Sequence, residues 1–171
     1  MGEADLVEEI ARVSSLTKLR GVPLPKLKER KTSSNLTPIQ KRESVIRREV
    51  ASLGYNECVT YSFVDKKSAL MFGGGSDQTK LENPISSDMS HMRPSLLPGL
   101  LQAVSRNQAR GILDMSLFEI GPVFHGGEPD DQEILATGIL VGHTNSRDVH
   151  GERRPVDPFD SKADVEAVLK S

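Results

Sequence analysis

Three carboxylates open the chain at spacings that could do chemistry. Asp5, Glu8 and Glu9 stand at i, i+3 and i+4, so on a helix they occupy neighbouring faces. Hard oxygen donors converging in this way could hold a divalent ion such as magnesium. Acidic residues in a first helical turn also complement the helix dipole without binding anything, and spacing alone leaves both readings open. Six basic residues, Lys18, Arg20, Lys26, Lys28, Arg30 and Lys31, fall with Pro23 and Pro25 between Thr17 and Leu36. Such a stretch could meet the phosphate backbone of RNA. A solvated linker accounts for the same composition, and no aromatic residue interleaves the charges to stack on a base. The histidines His91, His125, His143 and His150 show no metal-ligand spacing. Gly73 to Gly75 is not followed by the helix start that a phosphate-cradling loop needs, and no serine sits in a nucleophile-elbow context. No catalytic set is visible.

The bulk of the chain fits a globular domain. Its 171 residues suffice for one core of ordinary size. With 36% apolar and 27% charged residues and a formal charge of −2, nothing pulls it globally towards nucleic acid or membrane. The lone Cys58 excludes an internal disulfide framework and suits a reducing cytosol. No apolar run approaches the ~20 residues of a membrane span, and the acidic amino terminus is unlike a signal peptide.

The elements that must position any site follow from periodicity and punctuation. Residues 5 to 14 read as a helix with Leu6, Val7, Ile10 and Val13 on one face. Residues 17 to 36 read as a basic linker. Thr37-Pro38-Ile39-Gln40 is a capped helix start, and the helix it opens runs to Leu53 before Gly54, with Ile39, Ile46, Val50 and Leu53 as its apolar stripe. Cys58 to Phe63 alternates, which predicts a strand with Val59, Tyr61 and Phe63 on one face. A short helix is expected over Asp65 to Phe72. Asn83-Pro84 starts a turn. Ser95 can cap a helix whose Leu96, Leu97, Leu100, Leu101 and Val104 form a buried stripe, with Gly111 as its stop. Strands are expected over Phe118–Phe124 and Ile134–Val141, joined by a turn-rich loop as an antiparallel pair. The last ten residues resume a helix on Val165, Val168 and Leu169. This mixture favours an α+β fold, an antiparallel sheet backed by helices.

The stretch from Leu81 to Phe124 carries a resemblance. Glu82-Asn83-Pro84-Ile85-Ser86 with Asp88, then Met92-Arg93-Pro94-Ser95-Leu96-Leu97-Pro98-Gly99-Leu100-Leu101, then Phe118-Glu119-Ile120-Gly121-Pro122-Val123-Phe124, resembles the catalytic-like module in the β subunit of bacterial phenylalanyl-tRNA synthetase. Asp5 to Val13 resembles the last helix of the domain preceding that module. Gly54 to Phe63 resembles its first helix–strand junction. Pro155 to Leu169 resembles its closing segment, from which Pro158 and Ser161 depart. The likeness covers nearly all 171 residues, with four blocks in family order. The family's subunit is several times longer, so the chain is expected to be a fragment. Its abrupt start and stop inside helical patterns suggest the same.

The resemblance implies a class II aminoacyl-tRNA synthetase-like fold, an antiparallel sheet flanked by helices, without a working active site. It divides the chain into residues 1–16, the end of the preceding domain, a linker at 17–36, and the module at 37–171. The helix from Pro38 and the strand after it resemble the first class II motif, which builds subunit interfaces. Phe118 to His125 resembles the first strand of the second motif. There an active enzyme carries an arginine that grips ATP, whereas this sequence has His125, and an imidazole cannot replace a bidentate guanidinium. The arginine-bearing third motif is absent from the residues present. No catalytic or ATP-binding residue is therefore expected in this chain, although the family's complex uses ATP. The implied partners are the synthetase α subunit, in an assembly of two α and two β chains, and tRNA(Phe), in the cytoplasm and without a membrane. Asp5, Glu8 and Glu9 match three of four family ligands to a magnesium ion shared with the α subunit. The fourth, an aspartate six positions ahead of Asp5, would fall before residue 1, so the site is expected to be incomplete here. A rival expectation is a free-standing RNA-binding module that uses residues 18 to 31.

Overall fold

The computed structural model of the chain describes residues 2–24, 36–144, 149 and 153–171. It separates into two compact units, Met1–Asn35 and Leu36–Ser171. In the first, helix α1 spans Glu3–Ser14. Its start is fixed by Asp5, whose Oδ2 accepts the backbone N–H of Gly2 at 2.6 Å. The predicted stripe of Leu6, Val7, Ile10 and Val13 is present on the helix but lies exposed.

The second unit begins with α2, Pro38–Ser52, whose capping box forms as its residues predict. Thr37 Oγ1 accepts from the Gln40 backbone, and Gln40 Oε1 accepts from the Thr37 backbone. Gly54 takes a φ of +93°, the left-handed conformation that ends a helix without a Cβ penalty. Two short strands follow, β1 at Asn56–Glu57 and β2 at Phe63–Val64. Helix α3 spans Lys66–Met71 with Asp65 as its cap, and β3 spans His91–Met92. Helix α4 runs Leu97–Gln108, with Ser95 Oγ accepting the first free N–H, that of Leu97. The long strands β4, Met115–Phe124, and β5, Gln132–Val141, pair antiparallel along their whole length. Helix α5, Pro158–Lys170, closes the chain.

The main sheet has the order β1-β4-β5, and β1 joins it in parallel. The pair β2-β3 forms a small separate antiparallel sheet. Residues of β4 alternate between two layers. Leu117 packs with Leu100, Ala103 and Val104 of α4, joined by Met115, Ile139 and Val141. Phe118 lines the opposite groove with Ile46 and Val50 of α2 and Val168 of α5. The sheet is thus sandwiched, and each face is covered by the helices that the apolar stripes predict.

Two expectations are corrected. The strand predicted over Cys58–Phe63 is broken. Cys58 extends the β1 ladder by one bond to Phe118, after which Thr60 turns its backbone and side chain to Glu119 instead of to a strand. Val59 and Tyr61 consequently face solvent, at 91% and 72% exposure, rather than sharing one face of a strand with Phe63. The buried stripe is Leu96, just before α4, with Leu100, Ala103 and Val104 on it, while Leu101 points outward. At 3.6 residues per turn, Leu101 lies about 100° round from Leu100, and Ala103 takes the inner place.

Candidate functional site

Strand β4 carries the two features that decide what this domain can do. The first is its outer end. His125 follows Phe124, its N–H donating to the Asp131 carbonyl at 2.9 Å to close the hairpin. The imidazole is exposed, with Nε2 3.6 Å from Glu133 Oε2. The loop and strand start around it hold Glu128, Asp130, Asp131 and Glu133 and no lysine or arginine. Asp131 Oδ2 is used to accept the Glu128 N–H. Such a rim repels a polyphosphate rather than gripping it, and one imidazole lacks the fork that holds a phosphate bidentately.

The second feature lies inside. Arg93, on the link between β3 and α4, and Glu119, in mid-β4, are almost wholly buried, at 3% and 2% exposure. Arg93 Nη1 donates to Glu119 Oε1 at 2.7 Å and to Thr60 Oγ1 at 3.1 Å, and Nε donates to the Pro122 carbonyl at 2.9 Å. Thr60 completes the set, its hydroxyl donating to Glu119 Oε2 at 2.7 Å and its N–H to Oε1 at 3.2 Å. A buried charge is tolerated only with such satisfaction. The centre ties together the β1–β2 link, the β3–α4 link and β4. Because Thr60 points inward, its neighbours Val59 and Tyr61 point out. Sequence reasoning placed Arg93 and Glu119 only within the resemblance. Their pairing joins positions 26 residues apart, and no local period signals it.

A third polar cluster, also missed, clasps the chain after β5. Asp114 Oδ1 accepts the backbone and Nδ1 of His143 at 3.0 and 2.8 Å, and its Oδ2 accepts from Arg153 Nη2 at 2.5 Å. The hydrogen bond from His143 is the main reason that the Asp114 carboxyl lies below the usual aspartate range. At the start of α5, Arg154 forks onto Asp160, chiefly for which reason the Asp160 carboxyl is lowered to about 2.

In the first unit, Asp5 is engaged at the Gly2 N–H, and Glu9 Oε2 accepts from Arg12 at 2.6 Å. The donor chemistry of Asp5, Glu8 and Glu9 suits magnesium, but two of the three carboxylates are committed elsewhere. Among the described residues no three His, Cys, Asp or Glu side chains are grouped to hold a metal ion. Of the basic stretch, Lys18 and Arg20 are described and exposed. Lys26, Lys28, Arg30 and Lys31 lie outside the described residues, as does His150. Among the described residues no helix is long and apolar enough to cross a membrane.

Residues 24–171 match the family profile described as "Phenylalanyl tRNA synthetase beta chain CLM domain". A phenylalanine–tRNA ligase β subunit of Ruegeria pomeroyi is 64% identical over 168 residues, 98% of this chain and 21% of that protein. One from Cereibacter sphaeroides is also 64% identical over the same shares, and one from Paramagnetospirillum magneticum is 45% identical over 95% of this chain and 20% of that protein. The chain therefore spans about a fifth of the length of these relatives. Among solved structures, a pyrrolysyl-tRNA synthetase of Desulfitobacterium hafniense matches with TM-score 0.54 at 14% identity, over 78% of this chain and 46% of that one. An ATP phosphoribosyltransferase regulatory subunit/histidyl-tRNA synthetase from Bacillus halodurans matches with TM-score 0.54 at 14% identity, over 88% and 39%. At that identity the likeness is one of fold, and the fold is class II aminoacyl-tRNA synthetase-like.

Proposed function

The chain belongs to the phenylalanine–tRNA ligase β-subunit family, and from that premise we propose that it serves as a non-catalytic module of the ligase, packing against the α subunit and helping to place tRNA. The observation that carries this reading is the end of β4. Where the resemblance calls for an arginine on ATP, His125 stands beside Glu133 in an acidic rim. The packing role is supported by apolar side chains that the domain leaves outside, Val59 and Tyr61 on the β1–β2 link and Ile39 and Val45 on α2. Exposed aromatic and branched residues of this kind are what interface cores are made from.

Phenylalanine activation, tRNA charging and the assembly of two α and two β chains belong in this reading to the complete complex in the cytoplasm. Asp5, Glu8 and Glu9 would contribute oxygen ligands to a magnesium ion only together with groups from outside this chain. The ion would supply charge neutralisation at a subunit boundary, and the chain's own part is to present the carboxylates on one exposed helix.

Co-expression with a phenylalanine–tRNA ligase α subunit tests the proposal. The tagged chain is expected to retain the α subunit through size exclusion, and Tyr61→Ser with Val59→Ser to weaken retention while leaving the fold intact. A chain that never retains it, yet binds tRNA at submicromolar affinity with a steep salt slope, would instead favour the free-standing RNA-binding reading of residues 18 to 31.

A further inference from the structure

We infer that Glu119, Thr60 and the Pro122 carbonyl form a guanidinium-binding site within the domain, and that Arg93 is its resident ligand, closing the α4-facing side of the sheet from within.

The site is assembled from separate stretches around a cation of one shape. Glu119 and Thr60 Oγ1 receive Nη1, and the Pro122 carbonyl receives Nε. The acceptors therefore lie on two different nitrogens, a geometry that a planar fork meets and a point-charge ammonium does not. The remaining nitrogen lies over Gly121. A Cβ built there would come within 2.7 Å of Arg93 Nη2, so a side chain in mid-strand would force the guanidinium to shift. Glycine recurs on the other wall. A Cβ on Gly99 of α4 would run into the Thr60 side chain, displacing the hydroxyl that both accepts from Arg93 and donates to Glu119. Two positions without side chains thus keep open a cradle that only the guanidinium and its acceptors occupy. The anionic wall is complete without Arg93, because Thr60 already gives Glu119 two donors. Removing the arginine side chain therefore leaves a preformed acidic pocket of guanidinium dimensions.

The consequence for the native domain is that this cradle is already filled. The place is taken permanently, in cis, by a residue whose own backbone N–H and C=O bond to Ser62 and Phe124.

The test is chemical rescue of the chain carrying Arg93→Ala, read by thermal unfolding in guanidinium chloride at low millimolar concentration against sodium chloride of equal ionic strength. The expected result is a rise of several degrees for Arg93→Ala in guanidinium alone, with no rise for the wild type or for Arg93→Ala combined with Glu119→Gln. If Arg93→Ala is unfolded without additive, recovery of its helical circular dichroism on adding guanidinium is the same readout. Arg93→Lys, which keeps the charge and fills part of the space, is expected to fold and to ignore guanidinium. The inference is overturned if Arg93→Ala shows no gain, or if the double variant or Arg93→Lys gains equally.

Discussion

Glu119 and His125 sit six residues apart on and just beyond the same strand, yet their surroundings are opposites. Around Glu119 both carboxylate oxygens have partners, and an arginine is held in the interior by a carboxylate, a hydroxyl and a carbonyl. Around His125 the groups are solvated, its Nε2 lies 3.6 Å from Glu133 Oε2, and acidic side chains predominate. In an active class II enzyme the resemblance places an arginine's work at the strand end. This domain also has a guanidinium inside, where it fastens three segments. The difference separates a centre held by buried partners from a strand end open to solvent. Electrostatics are strong where water is excluded and weak where it is not.

The comparison can be broken by substitution, and the largest effect is expected at the buried centre. Arg93→Ala leaves Glu119 as an uncompensated buried charge and should cost about 3–5 kcal/mol in urea denaturation. A loss below 1 kcal/mol would mean that water reaches the pair. Thr60→Val removes a donor and an acceptor while keeping the shape, and should cost about 1–3 kcal/mol. It should also loosen the link that turns Val59 and Tyr61 outward, seen as faster amide exchange at residues 59 to 62.

Smaller effects belong to the surface. Asp160 has a folded pKa lowered to about 2, with Arg154 as the first cause. A depressed carboxylate gives stability that is present above its unfolded value of about 3.9 and lost as pH falls towards the folded one. Circular dichroism of α5 should therefore weaken between about pH 4 and pH 2, and Arg154→Ala should flatten that slope. An unchanged slope would place the acid sensitivity elsewhere. The smallest effect is expected at the strand end, where His125→Ala should shift stability by no more than about 0.5 kcal/mol. A shift of 2 kcal/mol there would contradict the contrast between the two sites.

Much of the fold was legible in the residues. The capping box at Thr37 and Gln40, the glycine stops at Gly54 and Gly111, and the two long strands are local signals. The parallel joining of β1 to β4 was not, because a two-residue strand carries no period and Asn56 pairs with Leu117, 61 residues away. The link at Val59 and Tyr61 misled for a physical reason. Alternation marks two faces but does not say which is wet, and the bond from Thr60 to Glu119 decided it. His125 could be read from the motif it interrupts, whereas the Arg93 centre and the Asp114–His143–Arg153 clasp exist only once distant segments meet. The carboxylates of α1 are legible as a spacing but not as a site. Among the described residues they are not grouped to hold a metal ion, and titration of the chain alone with millimolar magnesium should give no tight binding isotherm. A tight one would show that Asp5, Glu8 and Glu9 suffice.

The central claim is that this class II-like domain holds its fold without performing the ligase chemistry. Phenylalanine-dependent ATP–pyrophosphate exchange by the purified chain measures it most directly. The account predicts exchange no higher than the rate without enzyme, and phenylalanine-dependent exchange above that background would contradict it.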